Sequence, residues 1–364
     1  MRILLDPEST IYRDLPVHIT GITGFKGTWL AHILSVLGAK VTGSALPLHE
    51  RENRLWISSK YSSTIRVYEG DLTEDSFITD IFSKEKPKVL FHLAAQPIVS
   101  QAFLEPKNTF YNNFVSTLNL LDFFSHQSDL KCLLITTTDK VYSRPKSKTA
   151  LSEKSKLWGR DPYSGSKVCV EELISCYEVN YKRNGVKLAA LRSGNVIGGG
   201  DFAQDRLVPD IIRAWRGHSN LEVRMPNAVR PWQHVLLPLF GYLELANYLY
   251  TTPKYIDVMN FGPNVRVTKS VRDLIEQAKK DLETLRFTFH SNKIFEETDF
   301  LCLDSALAAK TLGYREIWNF EESVSATLNW YQRFFRGEEA TDLIHSDIKL
   351  FTGWPNSMFA RLEI

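Results

Sequence analysis

The chain has 364 residues, 43% of them hydrophobic and 24% charged, and its 44 basic and 42 acidic side chains leave a net charge of +2. That length provides one large domain or two modest ones with a good core, and the balanced charge, with no basic stripe interleaved with aromatics, argues against a nucleic-acid binder. No secretory segment opens the sequence and no apolar run of ~18 residues occurs, so no membrane partner and a cytoplasmic location are expected. Cys132, Cys169, Cys176 and Cys302 form no C-x-x-C pair and no metal-spaced Cys/His set. They read as buried free thiols, with no metal.

Residues 1–14 carry mixed charge and read as an N-terminal arm. "PVHIT" (16–20) is the first strand, followed by "GITGFKGTWL" (21–30) and a helix over 27–38 that Gly38 ends. Strands are then expected at 40–46, 64–71, 87–95, 131–142 and 186–198, with helices at 72–84, 107–125 and 162–184 between them. The run 87–95 is nearly continuously apolar, as a buried parallel strand requires. This alternation predicts an α/β fold, a Rossmann-type doubly wound parallel sheet over 15–198. After Gly198–Gly200 the rhythm breaks around Pro209, Pro226, Pro231 and Pro238. Residues 199–345 read mainly as a smaller mixed C-terminal substrate-binding lobe, with 236–251 packing back on the sheet, and 346–364 as a tail. The basic stretch 144–148 reads as a solvated loop.

A strand, then Gly21-x-x-Gly24-x-x-Gly27, then a helix is the layout of a phosphate cradle. Gly21 permits the tight turn, Gly24 lets a pyrophosphate approach the backbone, and Gly27 lets the helix pack close. The second strand ends "GSALP" (43–47) without a carboxylate, so it does not separate NAD from NADP; Ser44 is the available ribose donor there. Asp71, after the third strand, reads equally as an adenine contact or as the N-cap of the helix at 72–84. Tyr163 and Lys167, four apart in "DPYSGSK", share one helical face. A phenol titrates near pH ~10, and a neighbouring ammonium or a cationic cofactor favours phenolate, which can take a hydroxyl proton as hydride leaves the same carbon.

On the stretches "TGFKG", "GDL", "FHLAAQP", "TTDKVY", "DPYSGSK", "GNVIGGGDFAQDRLVPDI", "RPWQHV", "NFGPN" and "LGY", the chain resembles the extended short-chain dehydrogenase/reductases. Within them it is similar to the nucleotide-sugar 4,6-dehydratases of the CDP-glucose branch, over roughly residues 16–335. The resemblance implies NAD as a cofactor regenerated in each turnover, CDP-glucose as substrate and a 4-keto-6-deoxy sugar nucleotide as product. It implies that Tyr163 accepts the 4-hydroxyl proton, that Thr138 hydrogen-bonds that hydroxyl, and that Lys167 holds the nicotinamide ribose. Asp139 is then the acid at the 6-hydroxyl, a role needing partial burial, and Lys140 is the C5 base or an enolate stabiliser.

The same resemblance adds Thr23, Phe25, Lys26, Leu72, Leu93, Ala94 and Ala95 to the cofactor-lining set. It gives Gln96, Asn195, Arg206, Leu207, Arg230, Gln233 and His234 as substrate contacts, with His234 reading equally as structural. Asn113 would support the surroundings of Tyr163, while His32 and His92 read as packing residues. A homodimer, or a tetramer, through the helices at 107–125 and 162–184 is also implied. Two departures bear on specificity: Ile22 stands where the branch carries His, and 143–160 keeps only Glu153 and Gly159 of the expected loop. The alternatives are a 4-epimerase of the same superfamily, which needs no Asp139–Lys140 pair, and a non-catalytic nucleotide-sugar or NAD-binding protein.

Overall fold

The computed structural model describes residues 5, 7–50, 53–143, 149–265, 267–290 and 300–360; the basic stretch 144–148 and parts of both terminal segments lie outside the described residues. The first half alternates: β1 (Pro16–Thr20), α1 (Phe25–Val36), β2 (Lys40–Ala45), α2 (Arg54–Ile57), β3 (Arg66–Glu69), α3 (Asp75–Phe82), β4 (Val89–His92), α4 (Val99–Leu104), α5 (Pro106–Ser125), β5 (Cys132–Thr136), α6 (Pro162–Arg183) and β6 (Lys187–Ser193). The second half opens with β7 (Val196–Ile197), α7 (Leu207–Arg216), β8 (Asn220–Arg224), β9 (Val229–Arg230), β10 (Gln233–His234), α8 (Leu236–Thr251) and β11 (Val258–Phe261). It continues with β12 (Lys269–Ser270), α9 (Val271–Asp281), β13 (Arg286–His290), α10 (Ala306–Leu312), α11 (Phe320–Phe334), α12 (Ala340–Thr352) and α13 (Asn356–Ala360).

Seven strands form the expected parallel sheet, in the order β11-β6-β5-β4-β1-β2-β3. Growth of the sheet changes direction between β1 and β4, and ligands of such sheets bind beyond the strand ends at that point. Every residue of β4 and β5 is buried, because helices cover both faces. On one face α1 and α8 pack with the later helices around Trp29, Phe240, Trp330 and Trp354. On the other, α3, α5 and α6 cover Leu90, Leu133, Ile135 and Leu188.

Two expected strands break early, and both breaks build the site. The run 131–142 stops at Thr136, and Thr138 caps a single 3-10 turn, Asp139–Val141, by accepting from Lys140 N–H. The run 186–198 stops at Ser193, after which β7 leaves the sheet to pair with β10. Gly194 is required at that break: a Cβ there would lie 2.2 Å from Pro231 Cγ and 3.0 Å from Asp139 Oδ2.

The terminal segments differ from a free arm and tail. Leu5 and Tyr12 are buried, and Tyr12 donates its hydroxyl hydrogen to Leu243 O at 2.7 Å. The boundary drawn after 345 falls inside α12, where Ile344, Ile348 and Phe351 join the core. Apolar side chains in both segments explain the packing, which mixed charge in 1–14 obscured. Cys132 and Cys302 are buried as expected, but Cys176 is exposed and Cys169 half-buried.

Candidate active site

The glycine loop is shaped by contacts that leave no room for side chains. Gly21 has φ +69°, and a Cβ on it would sit 2.8 Å from Ala94 N; one on Gly27 would sit 2.2 Å from Gly21 O. Gly21 N–H donates to Ser44 O at 2.7 Å, which hangs the loop from the end of β2. Gly24 is the N-cap of α1 and supplies no side-chain cap, so the first amides of the helix face the loop without one. This cradle, bare at its three glycines and set at a helix N-terminus, fits a dinucleotide pyrophosphate. Leu93 and Ala94 close its other wall, their N–H groups donating to Thr20 O at 3.2 Å and Thr20 Oγ1 at 3.2 Å. Ala95 continues that wall at a bend. Phe25 opens α1 at the foot of the cradle, and Ile22 is fully buried beneath it.

Tyr163 and Lys167 are placed by local chemistry. Asp161 caps α6 and Ser164 reciprocates, with Ser164 N–H to Asp161 Oδ1 at 2.9 Å and Asp161 N–H to Ser164 Oγ at 3.1 Å. Pro162 occupies the first turn, where its missing N–H costs nothing, and such a box stabilises a helix start by about 1 kcal/mol. The tyrosine therefore sits in a fixed first turn and the lysine one turn on, both buried. Lys167 Nζ donates to Thr136 O at 3.1 Å, at the end of β5.

Burial pushes the Tyr163 phenol up to about 12, although the Thr138 hydroxyl beside it and the Arg206 charge act in the opposite sense. Burial likewise brings Lys167 down to about 8.

Thr138, Asp139 and Lys140 meet these groups. Thr138 Oγ1 donates to Asp139 Oδ1 at 3.1 Å, and Lys140 Nζ lies 3.9 Å from the same oxygen. Asp139 is 1% exposed, and among the described residues its Oδ2 has no hydrogen-bond partner; Asn195 Oδ1 is a second buried acceptor without one there. Lys26 enters from the glycine loop, its Nζ donating to Ser193 Oγ at 2.9 Å, and Tyr242 OH donates to the same oxygen at 2.8 Å. Burial, together with the charge of Arg206, brings Lys26 down to about 7. Arg206 is held by Asp201 at 2.9 Å, just before α7, which Leu207 opens. Arg230 is buried and donates to Val229 O at 3.0 Å.

Several residues expected to contact ligands have partners within the protein. The Ser44 hydroxyl is buried in the sheet against His18 Nε2 at 3.1 Å, so only its carbonyl serves the loop. Asp71 is neither the helix cap nor buried: its Oδ1 accepts from Thr73 N–H at 2.9 Å, and α3 begins at Asp75. Leu72 joins the core under α5. Gln233 donates to Phe261 O at 2.9 Å and accepts from Tyr314 at 3.3 Å. His234 lies edge-on to Trp29 and Trp318, and burial brings it down to about 3. Both are wall residues, because the short strand β10 carries them inward.

Gln96 is bound to Ile98 of its own loop and to Thr109 on α5. Asn113 joins that loop to α6: it accepts from Gln96 N–H at 2.8 Å and donates to Ser166 Oγ at 2.9 Å. Thr23 is gripped by Asn53, a residue the sequence reading did not mark. Also unmarked was a network directly behind the site. Arg192 makes two 2.8 Å bonds to Glu171, which also accepts from Thr137 at 2.6 Å, and Arg192 reaches Tyr142 OH at 2.8 Å. The spacing Tyr163–Lys167–Glu171 was its available signal, since steps of four share a helical face. Among the described residues no group of three or more metal-binding side chains occurs, and no helix is long and apolar enough to cross a membrane.

Comparison with known proteins agrees with this geometry. The chain is 34% identical over 344 residues to the CDP-glucose 4,6-dehydratase of Salmonella typhimurium, covering 91% of this chain and 94% of that one. An epimerase from Methanothermobacter thermautotrophicus shares the fold at 18% identity and TM-score 0.78, covering 92% of this chain and 95% of the other. So does the dTDP-glucose 4,6-dehydratase of Bacillus anthracis in complex with NAD, at 18% identity and TM-score 0.74, covering 90% and 99%. The family model for GDP-mannose 4,6 dehydratase matches residues 18–327. With its Tyr163–Lys167 helix and its Thr138–Asp139–Lys140 turn facing one glycine cradle, the chain belongs to the GDP-mannose 4,6 dehydratase family and is a nucleotide-sugar 4,6-dehydratase, a hydro-lyase.

Proposed function

We propose that the protein converts CDP-glucose to CDP-4-dehydro-6-deoxyglucose and water, with NAD as its resident cofactor. The observation that carries the reading is Asp139: a buried carboxylate with one unpartnered oxygen, set between Thr138 and the Lys140 amine. A 4-epimerase has no need of that pair. Extensive identity to a CDP-glucose 4,6-dehydratase supports the choice of sugar nucleotide.

In this reading the cradle of Gly21, Gly24 and Gly27 holds the NAD pyrophosphate and Lys167 holds the nicotinamide ribose. NAD, when bound, supplies a hydride acceptor at C4 and a hydride donor at C6. Tyr163 takes the 4-hydroxyl proton while Thr138 orients that hydroxyl. Because burial raises the phenol, this transfer depends on positive charge brought close to Tyr163 in the loaded site. The 4-keto group acidifies C5–H; Lys140 removes that proton or steadies the enolate, and Asp139 protonates the departing 6-hydroxyl. Asn195, Arg206 and Arg230 hold the sugar nucleotide, the arginines suiting a diphosphate by their planar fork.

The proposal extends to a cytoplasmic homodimer built on α5 and α6, whose Phe110, Tyr111 and Val179 stay exposed in the single chain. A substrate panel tests the reading: CDP-, dTDP-, UDP- and GDP-glucose, each with NAD, followed by mass spectrometry. Loss of one water from CDP-glucose is expected. A mass-neutral product would replace the dehydratase with an epimerase, and no product from any of the four would overturn the enzyme reading.

A further inference from the structure

The segment leaving β2 touches both halves of the site without belonging to either. Asn53 Nδ2 donates to Thr23 O at 3.2 Å and to Thr23 Oγ1 at 3.0 Å, while its Oδ1 accepts from His49 N–H at 2.8 Å. One side chain thus closes the loop after β2 and fastens it to the glycine cradle. No carboxylate ends β2 in this chain, and this amide is a polar link between that loop and the cradle.

Arg54 reaches the other way. Its guanidinium carbon lies 5.1 Å from the Phe202 ring, 5.2 Å from Phe334 and 5.5 Å from Phe335. Phe202 directly follows Asp201, the carboxylate that holds Arg206. Leu55 fills the same junction, for a Cβ on Gly200 would lie 2.4 Å from Leu55 Cδ1. The far end of the segment is anchored as well: Ser59 Oγ pairs with His32 Nε2 at 2.8 Å, and Lys60 N–H donates to Thr341 Oγ1 on α12 at 2.9 Å. With its rear fixed, the segment presents two neighbouring side chains to two different loops.

We propose that Asn53 and Arg54 are paired positioning residues, Asn53 setting the cofactor loop through Thr23 and Arg54 setting the sugar-nucleotide loop through Phe202. The inference rests on the reading of the cradle as the NAD site and of Arg206 as a substrate contact.

Calorimetric binding of NAD, and of CDP-glucose to the NAD-saturated protein, tests it in full-length variants. Asn53→Ala should weaken NAD about tenfold, the effect of roughly two lost hydrogen bonds, and shift CDP-glucose less than about twofold. Arg54→Ala should weaken CDP-glucose about fivefold through the lost cation–π contact and leave NAD within about twofold. Asn53→Asp keeps the acceptor for His49 but cannot donate to Thr23, so it should bind NAD as poorly as Asn53→Ala. Melting temperatures without ligand should stay within about 3 °C of the parent.

Equal losses of both ligands in each variant, recovery of NAD affinity by Asn53→Asp, or a collapse of ligand-free stability would overturn the pairing. A parent protein that binds no NAD would overturn the cradle reading itself. One that binds NAD but not CDP-glucose would overturn the substrate reading.

Discussion

Two buried polar clusters lie back to back at the end of β5, and they are finished differently. Behind the site, Glu171 spends both carboxylate oxygens on Arg192, and Arg192 continues to Tyr142, whose hydroxyl donates to Asn260 at 2.7 Å. In front, Asp139 Oδ2 and Asn195 Oδ1 are buried and unpartnered, and the Tyr163 phenol is held in its neutral form. An unpaired buried acceptor costs on the order of 1–3 kcal/mol, so a chain retains it where a ligand will supply the donor. The rear cluster holds the β5–β6–α6 junction rigid, and the front cluster draws on that rigidity to keep its unsatisfied groups aimed.

The sharpest way to break the contrast is Tyr163→Phe. It should lower turnover by about 10³-fold, measured as water loss from CDP-glucose, with melting unchanged. Arg192→Met should do the reverse. It leaves the Glu171 carboxylate buried without its partner and should cost about 3–5 kcal/mol in denaturant unfolding, and a second change, Glu171→Leu, should recover most of that. If Arg192→Met proves neutral in stability, the rear cluster is not a structural one.

Asp139→Asn should reduce dehydration by about 10²-fold while NADH still accumulates on adding substrate, separating oxidation at C4 from elimination. Equal loss of both signals would remove Asp139 from the acid role.

A further test concerns pH. His18, His92 and His234 are each brought down to about 3 by burial, so the unfolded chain binds more protons than the folded one between about 6.5 and 3. Their contribution to stability is therefore full above pH ~6.5 and is lost as pH falls through that window, by about 1.4 kcal/mol per pH unit for each fully buried histidine. His92→Asn should flatten the slope by one such increment in unfolding measured between pH 7 and 4. An unchanged slope would mean His92 is not buried neutral.

What could be read in advance was what is local. The Tyr163–Lys167 step is set within one helical turn, whereas the TTDK turn, equally local, was read as the end of a strand over 131–142. The strand–glycine–helix order likewise implies its own geometry. What escaped depended on distant chain segments. Arg192 meets Glu171 only once β6 lies beside α6, and Asn53 meets Thr23 only once β2 pairs with β1.

Gln233 and His234 were read as substrate contacts from the motif they share with Arg230, His234 equally as a structural residue. The two-residue strands β9 and β10 turn them against Phe261 and Trp318. The N-terminal segment was read from charge and 346–364 as a tail, but Leu5 and Trp354, whose indole N–H donates to Leu5 O at 3.3 Å, decide their fate.

Ile22 departs from the expected histidine, and its setting gives that departure a consequence for the family's history. Its side chain fills the space over β2 where Gly43 has none: a Cβ at 43 would lie 2.5 Å from Ile22 Cγ2. The two positions share a single volume, and only one of them can occupy it. Among relatives they should therefore covary, a bulky residue at 22 always coming with glycine at 43. A branch that enlarges position 43 must first have shrunk position 22, so that one contact fixes the order in which this loop accepts substitutions.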